Sequence, residues 1–339
     1  MIEAALGRLG AMKSALLGSD LYDRLLGLPD ERRVVDSLAA SVYAEAARRA
    51  EEGASPAAVE RSLWQEVFAA WARLIKFLDG PFADCALGLC GAFDVENIRR
   101  TVRRVLAGIP ASESVPLWDL GRLERVSRVG LSRARSVKDV SDLLSGGPYG
   151  PGFELASHRL AEGETLFGFE QLLEVSYREG LATAASRLRG SAGAPARAYI
   201  ERRNHFVNLR WALRLRFVKG MKAEEARQYL LSPRSARARA ELDAVLASES
   251  LERAGSALQG LLGPGPPAEV TLRGLERGLR RAEALSARTE LRRAFFQFSS
   301  LLAYFDVRCQ EVRDIVLVLT GMRQGRSPEE LRSRLGLAA

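Results

Sequence analysis

Histidine is almost absent from this sequence: His158 and His205 are the only two in 339 residues. A histidine-based triad or a zinc site has little to be built from, and neither residue has other ligands at ligand spacing. His158 stands beside a Gly/Pro loop and His205 on a charged helical stretch, so both read as surface or partner-contact residues. Cysteine is scarce too. Cys85, Cys90 and Cys309 sit in apolar helical contexts without metal-like spacing, which suits reduced, buried small hydrophobes better than a disulfide framework. There is no GxxxxGK[ST] and no GxGxxG after a strand, hence no phosphate cradle. Long hydrophobic runs are also missing. The most apolar region, Ala294 to Leu319, is interrupted by Asp306, Arg308, Glu311, Arg313 and Asp314, short of the roughly 20 apolar residues a membrane span needs. The opening MIEAALGRLGAMKSALL carries Glu3, Arg8 and Lys13 at helical intervals, which argues against a secretory signal. No segment alternates with period two for long enough to predict a strand.

What is present is Ala, Leu and Arg. Lys13, Lys76, Lys138, Lys219 and Lys222 are the only lysines, so nearly all of the 50 basic residues are arginines. With 47% hydrophobic residues the chain can bury a sizeable core, and the composition favours an all-α protein. The formal charge is +8, but 42 acidic residues are interspersed, so most charge belongs to solvated helix faces. Arg99, Arg100, Arg103 and Arg104 cluster, as do Arg197, Arg202, Arg203, Arg210, Arg214, Arg216 and Lys219. No nucleic-acid module or stacking-aromatic pattern accompanies them, and an acidic protein partner accounts for the same surplus. Neighbouring carboxylates such as Asp94 and Glu96 do not converge on one substrate and read as capping and solvation groups. No cofactor, metal or catalytic residue is assigned.

One pattern occurs three times. Around Asp314, apolar residues lie two before (Val312), one after (Ile315) and five after (Leu319), with Gly325 eleven after. Asn208 has Phe206, Leu209 and Leu213 in the same places and its glycine one residue late, at Gly220; Asn97 has Val95, Ile98, Val102 and Gly108. The spacing predicts three amphipathic helices at intervals of 111 and 106 residues, each near a third of the chain. A second hint is that Leu38 to Tyr43 and Leu144 to Tyr149 repeat one five-residue step. Three related helical bundles are therefore expected, over residues 1–110, 111–225 and 226–339. Arg103 and Arg214 both lie six residues after the motif Asn, where the third copy has Thr320, and are expected to form ion pairs between bundles. Breaks are expected at Gly53 to Pro56 and at Gly263 to Pro267, and Ser327 with Glu330 suits a capping box after Gly325.

The stretches LGRLGAMKSALL (Leu6 to Leu17), FDVENIRRTVRRVLAG (Phe93 to Gly108), NHFVNLRWALRLRFVKG (Asn204 to Gly220) and above all LLAYFDVRCQEVRDIVLVLTGMRQGRSPEELRSRL (Leu301 to Leu335) resemble the C subunit of V/A-type (vacuolar/archaeal-type) rotary ATPases, equivalent to the d subunit of eukaryotic V-ATPases. The resemblance implies three helical repeats around a pseudo-threefold axis, shaped as a funnel. It also implies a non-catalytic rotor component at the cytoplasmic face of a membrane, seated on the proteolipid ring and receiving the end of the central shaft. Asn97, Arg103, Gly108, Asn208, Arg214, Gly220, Glu311, Asp314 and Gly325 are the motif residues it marks as structural or interface positions. The chain departs from the family pattern at Thr320, at Met322 and in the extra residue before Gly220. The rival reading is a free-standing helical adaptor for an acidic protein or nucleic acid; an enzyme would need a pocket of convergent ionisable groups that the sequence does not display.

Overall fold

A computed structural model describes residues 2–49, 55–263, 270–294 and 296–336, and every regular element among them is helical. The two expected breaks fall largely on residues 50–54 and 264–269, outside the described residues. Six long helices dominate: α1 (Pro56–Ile75), α2 (Gly80–Leu106), α3 (Leu166–Ser186), α4 (Gly193–Phe217), α5 (Leu272–Arg293) and α6 (Phe298–Arg323). They come as three consecutive pairs, of 20 then 27, 21 then 25, and 22 then 26 residues.

Each pair starts and stops for the same local reasons. The first helix is capped by a hydroxyl that accepts a backbone N–H three residues on: Ser55 from Ala58, Thr165 from Gly168, Thr271 from Gly274. The second helix ends at a glycine of positive φ: +65° at Gly108 and +67° at both Gly220 and Gly325. The left-handed turn lets the next N–H reach back, as from Ile109 to the Arg104 carbonyl and from Arg326 to that of Gly321, both 3.0 Å. After α4 the extra residue is absorbed in the same turn, with Lys219 bonding Arg214 and Met221 bonding Leu215. Ser327 does cap the closing short helix, accepting the N–H of Glu330.

The long helices pack in chain order, α2 on α3, α3 on α4, α4 on α5 and α5 on α6, and α6 returns to α1; the seam between α1 and α2 is the thinnest of these. The segments between pairs fold as short helices, the earlier ones against the second helix of the preceding pair and the last ones, Gly150–Ala161 and Leu251–Leu262, on α3 and α5. Helices Arg128–Arg133 and Val137–Leu144 lie on α2, and Ala223–Arg227 and Ala236–Ala247 on α4. The opening segment, with helices Ile2–Lys13 and Glu31–Ser37, lies on α6. α6 is accordingly buried nearly all round rather than on one face: with the motif residues Val312, Ile315 and Leu319 it buries Leu301, Tyr304, Phe305, Arg308, Cys309, Glu311, Asp314 and Val318, whereas Val316 is half-buried. Among the described residues no helix is long and apolar enough to cross a membrane.

A tight seam lies between α2 and α3. A Cβ at Gly91 would stand 2.6 Å from the Tyr177 ring and 2.8 Å from the Tyr149 hydroxyl, whereas at Gly180, in mid-α3, it would meet nothing within 4 Å. Gly91→Ala is therefore expected to lower the urea unfolding midpoint by about 1–3 kcal/mol equivalent, as overpacking does. Gly180→Ala should be neutral or stabilising by up to about 1 kcal/mol. Equal effects of the two would show that the seam yields more easily than its geometry implies.

Candidate functional site: buried braces and an arginine-lined cleft

At each of its three positions the recurring Asn or Asp meets the backbone of a residue some 22 positions later. Asn97 on α2 donates its Nδ2 to the carbonyl of Trp118 (2.9 Å) and accepts the N–H of that residue on Oδ1 (2.7 Å). Asn208 on α4 grips Leu231 in the same two-way fashion, at 2.7 and 2.9 Å. Asp314 on α6 accepts the N–H of Gly336 (2.9 Å) and a bond from Gln310 Nε2 (2.9 Å); a carboxylate has no N–H to return to the carbonyl. The braced residue follows by 21, 23 and 22 positions. All three side chains are buried, so each brace satisfies a polar group that would otherwise oppose packing.

One turn earlier on the same face stands a second ionisable row: Asp94, His205 and Glu311. Its neighbours in sequence suggest a solvated Asp94, yet the residue is fully buried; its Oδ2 accepts the Tyr149 hydroxyl (2.8 Å) while Oδ1 has no partner among the described residues. Glu311 accepts the Tyr43 hydroxyl (3.0 Å) and the N–H of Leu17 (2.6 Å). Burial is the main cause pushing both carboxyls up to about 7; the Tyr149 bond on Asp94 and the Arg308 charge beside Glu311 oppose it. His205 departs from the surface position its charged neighbours suggest: its ring is largely covered and Nε2 lies 2.6 Å from Glu241. The helix that carries it is crossed by Ala236–Ala247, which shields it. His158, by contrast, is 75% exposed beside Glu162.

A third row links consecutive pairs. Arg103 forks onto Glu170 of α3 (2.5 and 2.6 Å), and Arg214 onto Glu276 of α5. Glu170 and Glu276 each occupy the fifth position of a first helix; Glu60 holds that position in α1, where its partner is Trp64 Nε1 instead. Thr320, the third-copy counterpart of the two arginines, bonds its own helix at Val316 (2.7 Å). The sequence carried a signal for the acidic partners, since 60, 170 and 276 recur at nearly the interval of the motif itself. Gly108, Gly220 and Gly325 serve as the helix ends described above.

Between α2, α3, α4 and α5 opens a cleft of about 390 Å³ lined by Arg99, Arg178, Arg210, Arg214 and Arg280 with Glu170 and Glu174. Glu174 neutralises Arg99 (3.0 Å) and Arg178 (2.8 Å), and Glu283 takes Arg210 (2.5 Å). Arg280 makes no hydrogen bond or ion pair to a described residue; desolvation, then the charges of Arg210, Arg313 and Arg214, hold its guanidinium below the usual arginine range. The three cysteines are buried, and burial pushes the Cys85 and Cys309 thiols up to about 12. Among the described residues no three His, Cys, Asp or Glu side chains come together as a metal site requires.

Fold and braces together define an all-helical scaffold whose buried polar groups hold helix to helix. Residues 5–334 match the model of the family described as the ATP synthase (C/AC39) subunit. The chain belongs to that family, an accessory rather than catalytic component of V/A-type ATP synthases, in agreement with the likeness carried by Leu301 to Leu335. No curated protein matches the sequence.

Two measurements follow from the braces. Asn208→Leu leaves the N–H and carbonyl of Leu231 without partners and is expected to cost about 2–4 kcal/mol, read as a lower denaturant midpoint. A cost below about 0.5 kcal/mol would mean that water replaces the brace through the adjoining cavity. For the carboxyl row, Glu311 and Asp94 keep a proton up to about pH 7 when folded but lose it near pH 4 when unfolded. The folded state binds more protons in that window, so these two groups make stability fall as pH rises through it. Glu311→Gln, whose amide can accept from Leu17 and donate to Tyr43, should shrink the stability difference between pH 5 and pH 7 by about 1–3 kcal/mol relative to the parent chain. An unchanged pH profile would show Glu311 ionised in the fold.

Proposed function

We propose that this chain is the non-catalytic central-stalk rotor component of its complex, coupling the central shaft to a membrane proteolipid ring that carries protons or sodium. On this reading its residues 1–110, 111–225 and 226–339 are three related repeats around a pseudo-threefold axis, closing into a funnel. It sits peripherally on the cytoplasmic face, in one copy per complex, with the shaft end in the hollow. Family membership supports this, and so does the recurrence of one brace at Asn97, Asn208 and Asp314.

The observation that carries the proposal is the arginine-lined cleft, a concave surface framed by four long helices with Arg280 on its wall bonded to no described residue. Torque transmission needs a body that does not deform and two surfaces that grip; close-packed interiors supply the first. A basic socket supplies one of the second, attracting an acidic shaft end and fixing its orientation. A typical stable contact removes about 800 Å² per partner, so the cleft is the centre of such a contact and not its whole. The motif positions Arg103, Arg214, Gly108, Gly220, Gly325 and Glu311 act structurally on this reading, holding the walls of the socket at fixed separation.

Arg280→Glu on the cleft wall, combined with Arg313→Glu, whose charge bears on Arg280 from outside the lining, should weaken binding of purified shaft subunits by at least about tenfold and flatten its salt dependence. Arg133→Glu, at an exposed residue outside the cleft lining, serves as the control. Unaltered affinity and salt slope in the double variant would remove the socket from this cleft.

A further inference from the structure

A separate cavity of about 360 Å³ lies where the opening helix Ile2–Lys13 crosses α1 and α6. Its wall includes three arginines, Arg8, Arg73 and Arg308, each from a different helix. Arg308 is only 2% exposed, yet it makes no hydrogen bond to a described residue. Its nearest acid is Glu311 at 3.6 Å, and its guanidinium lies 4.4 Å from the Tyr43 ring centre. Glu311 accepts from Leu17 on one oxygen and from Tyr43 on the other, and at 3.6 Å it pairs with the Arg308 charge without accepting a hydrogen bond from it. Burying a guanidinium costs several kcal/mol unless its donors are met, and here they are not met from within the described chain.

The other two arginines are equally uncommitted. Arg8 has only the face of Phe77, at 5.8 Å, and Arg73 has no ion pair or hydrogen bond to a described residue. The Tyr304 hydroxyl, also on the cavity wall, hydrogen-bonds to no described residue. Glu66 is the single carboxylate in the lining, and it lies 4.0 Å from Arg49. Three guanidinium groups against one carboxylate in the lining leave a formal excess of two positive charges on the wall, or one where Glu311 behind Arg308 is ionised. A carboxylate ligand would neutralise one of them. A phosphate monoester carries close to two negative charges and three acceptor oxygens, and guanidinium forks suit it geometrically. The remaining lining is apolar, from Met12, Val42 and Ala70 among others, and can hold a small apolar body.

We propose that this cavity binds a phosphate monoester bearing a small apolar group, its oxygens held by Arg308 at the floor and by Arg8 and Arg73 nearer the mouth. The site is distinct from the arginine-lined cleft and does not depend on how the shaft is gripped. Such a ligand would tie the opening helix to α1 and α6, stabilising the contact between the first and last segments of the chain. A soluble monoester and a lipid headgroup present the same chemistry, and the test separates them.

The full chain is titrated with phenyl phosphate and with inorganic phosphate at constant ionic strength, following thermal unfolding, and separately sedimented with vesicles of phosphatidylcholine with or without phosphatidic acid. Phenyl phosphate at about 10 mM should raise the unfolding temperature beyond the chloride control, as a ligand binding only the folded state must. Arg8→Ser and Arg73→Ser should each weaken that response at least about tenfold in ligand concentration while leaving the ligand-free midpoint unchanged, since neither side chain makes an ion pair with a described residue. Arg308→Lys, where it folds, should weaken it further because the planar fork is lost. Retention on phosphatidic acid vesicles in addition, sensitive to the same variants, assigns the headgroup as a source. The absence of any thermal shift, a shift equal in parent and variants, or vesicle retention without soluble binding would each overturn the proposal.

Discussion

The architecture depends on a buried side-chain amide that bonds both ways to one backbone residue some 22 positions later. Apolar faces alone would let a short-helix segment slide along a long helix at little cost. A carboxamide that must meet one N–H and one carbonyl allows a single register, because any slip leaves several buried polar groups unsatisfied. Asn97 and Asn208 impose that register on the segments at Trp118 and Leu231. Asp314 imposes half of it at Gly336, and Gln310 supplies a donor from its own helix. The row one turn earlier works in the same direction: a tyrosine hydroxyl from the next segment reaches Asp94, and one from the first segment reaches Glu311. Where the row carries His205 instead, no tyrosine arrives, Glu241 takes its place, and a cavity of about 700 Å³ opens beside it.

The ionic links between helix pairs are of a different kind. Arg103–Glu170 and Arg214–Glu276 are half open to solvent on the arginine side, and such pairs contribute little each. The enclosed pairs matter more. Arg203 with Asp306 (3.0 Å) and Arg178 with Glu174 (2.8 Å) cannot lose one partner without stranding a charge away from water. The third seam, lacking an arginine at Thr320, is held by ring contacts: Trp71 against Phe305 at 4.8 Å and Phe82 edge-on to Phe298 at 5.0 Å. Aromatic packing contributes attraction comparable to an exposed pair without the salt sensitivity.

The helices, the hydroxyl cap at Ser327 and the glycine ends were legible in the sequence because each is written within four residues of itself, as at Gly325. The motif Asn and Asp were legible as positions but not as braces, since nothing local names Trp118 or Leu231 as the partner. Asp94 shows the limit most clearly. Beside Glu96 it looks like one of many solvated acids, and only the arrival of Tyr149 from 55 residues away makes it a core residue. Tyr43 and Tyr149 did leave a trace, in their shared five-residue step from Leu38 and Leu144, but the trace points to repetition and not to a carboxyl. A one-sided α6 fails for a related reason: periodicity reports the apolar stripe, while Arg308 and Glu311 meet Leu17 and Tyr43 from the far end of the chain and Asp314 meets Gly336.

That segment explains how a chain of stacked helices becomes a closed body. Leu17 reaches Glu311, Lys13 reaches the Leu291 carbonyl at 2.7 Å, and Arg323 forks onto Glu31, all across more than 270 positions. Contacts of such separation carry the largest loop-closure cost, so they form after the local helix pairs. The polar row of α6 lacks its far partners until the opening segment docks, which makes closure all-or-none: a partly docked segment leaves Glu311 or Arg308 buried and unmet. In a body closed in this way each helix pair is held both by its neighbour and by a short segment packed on it. Register here follows from where the polar groups are buried, and the apolar core fills the space between them.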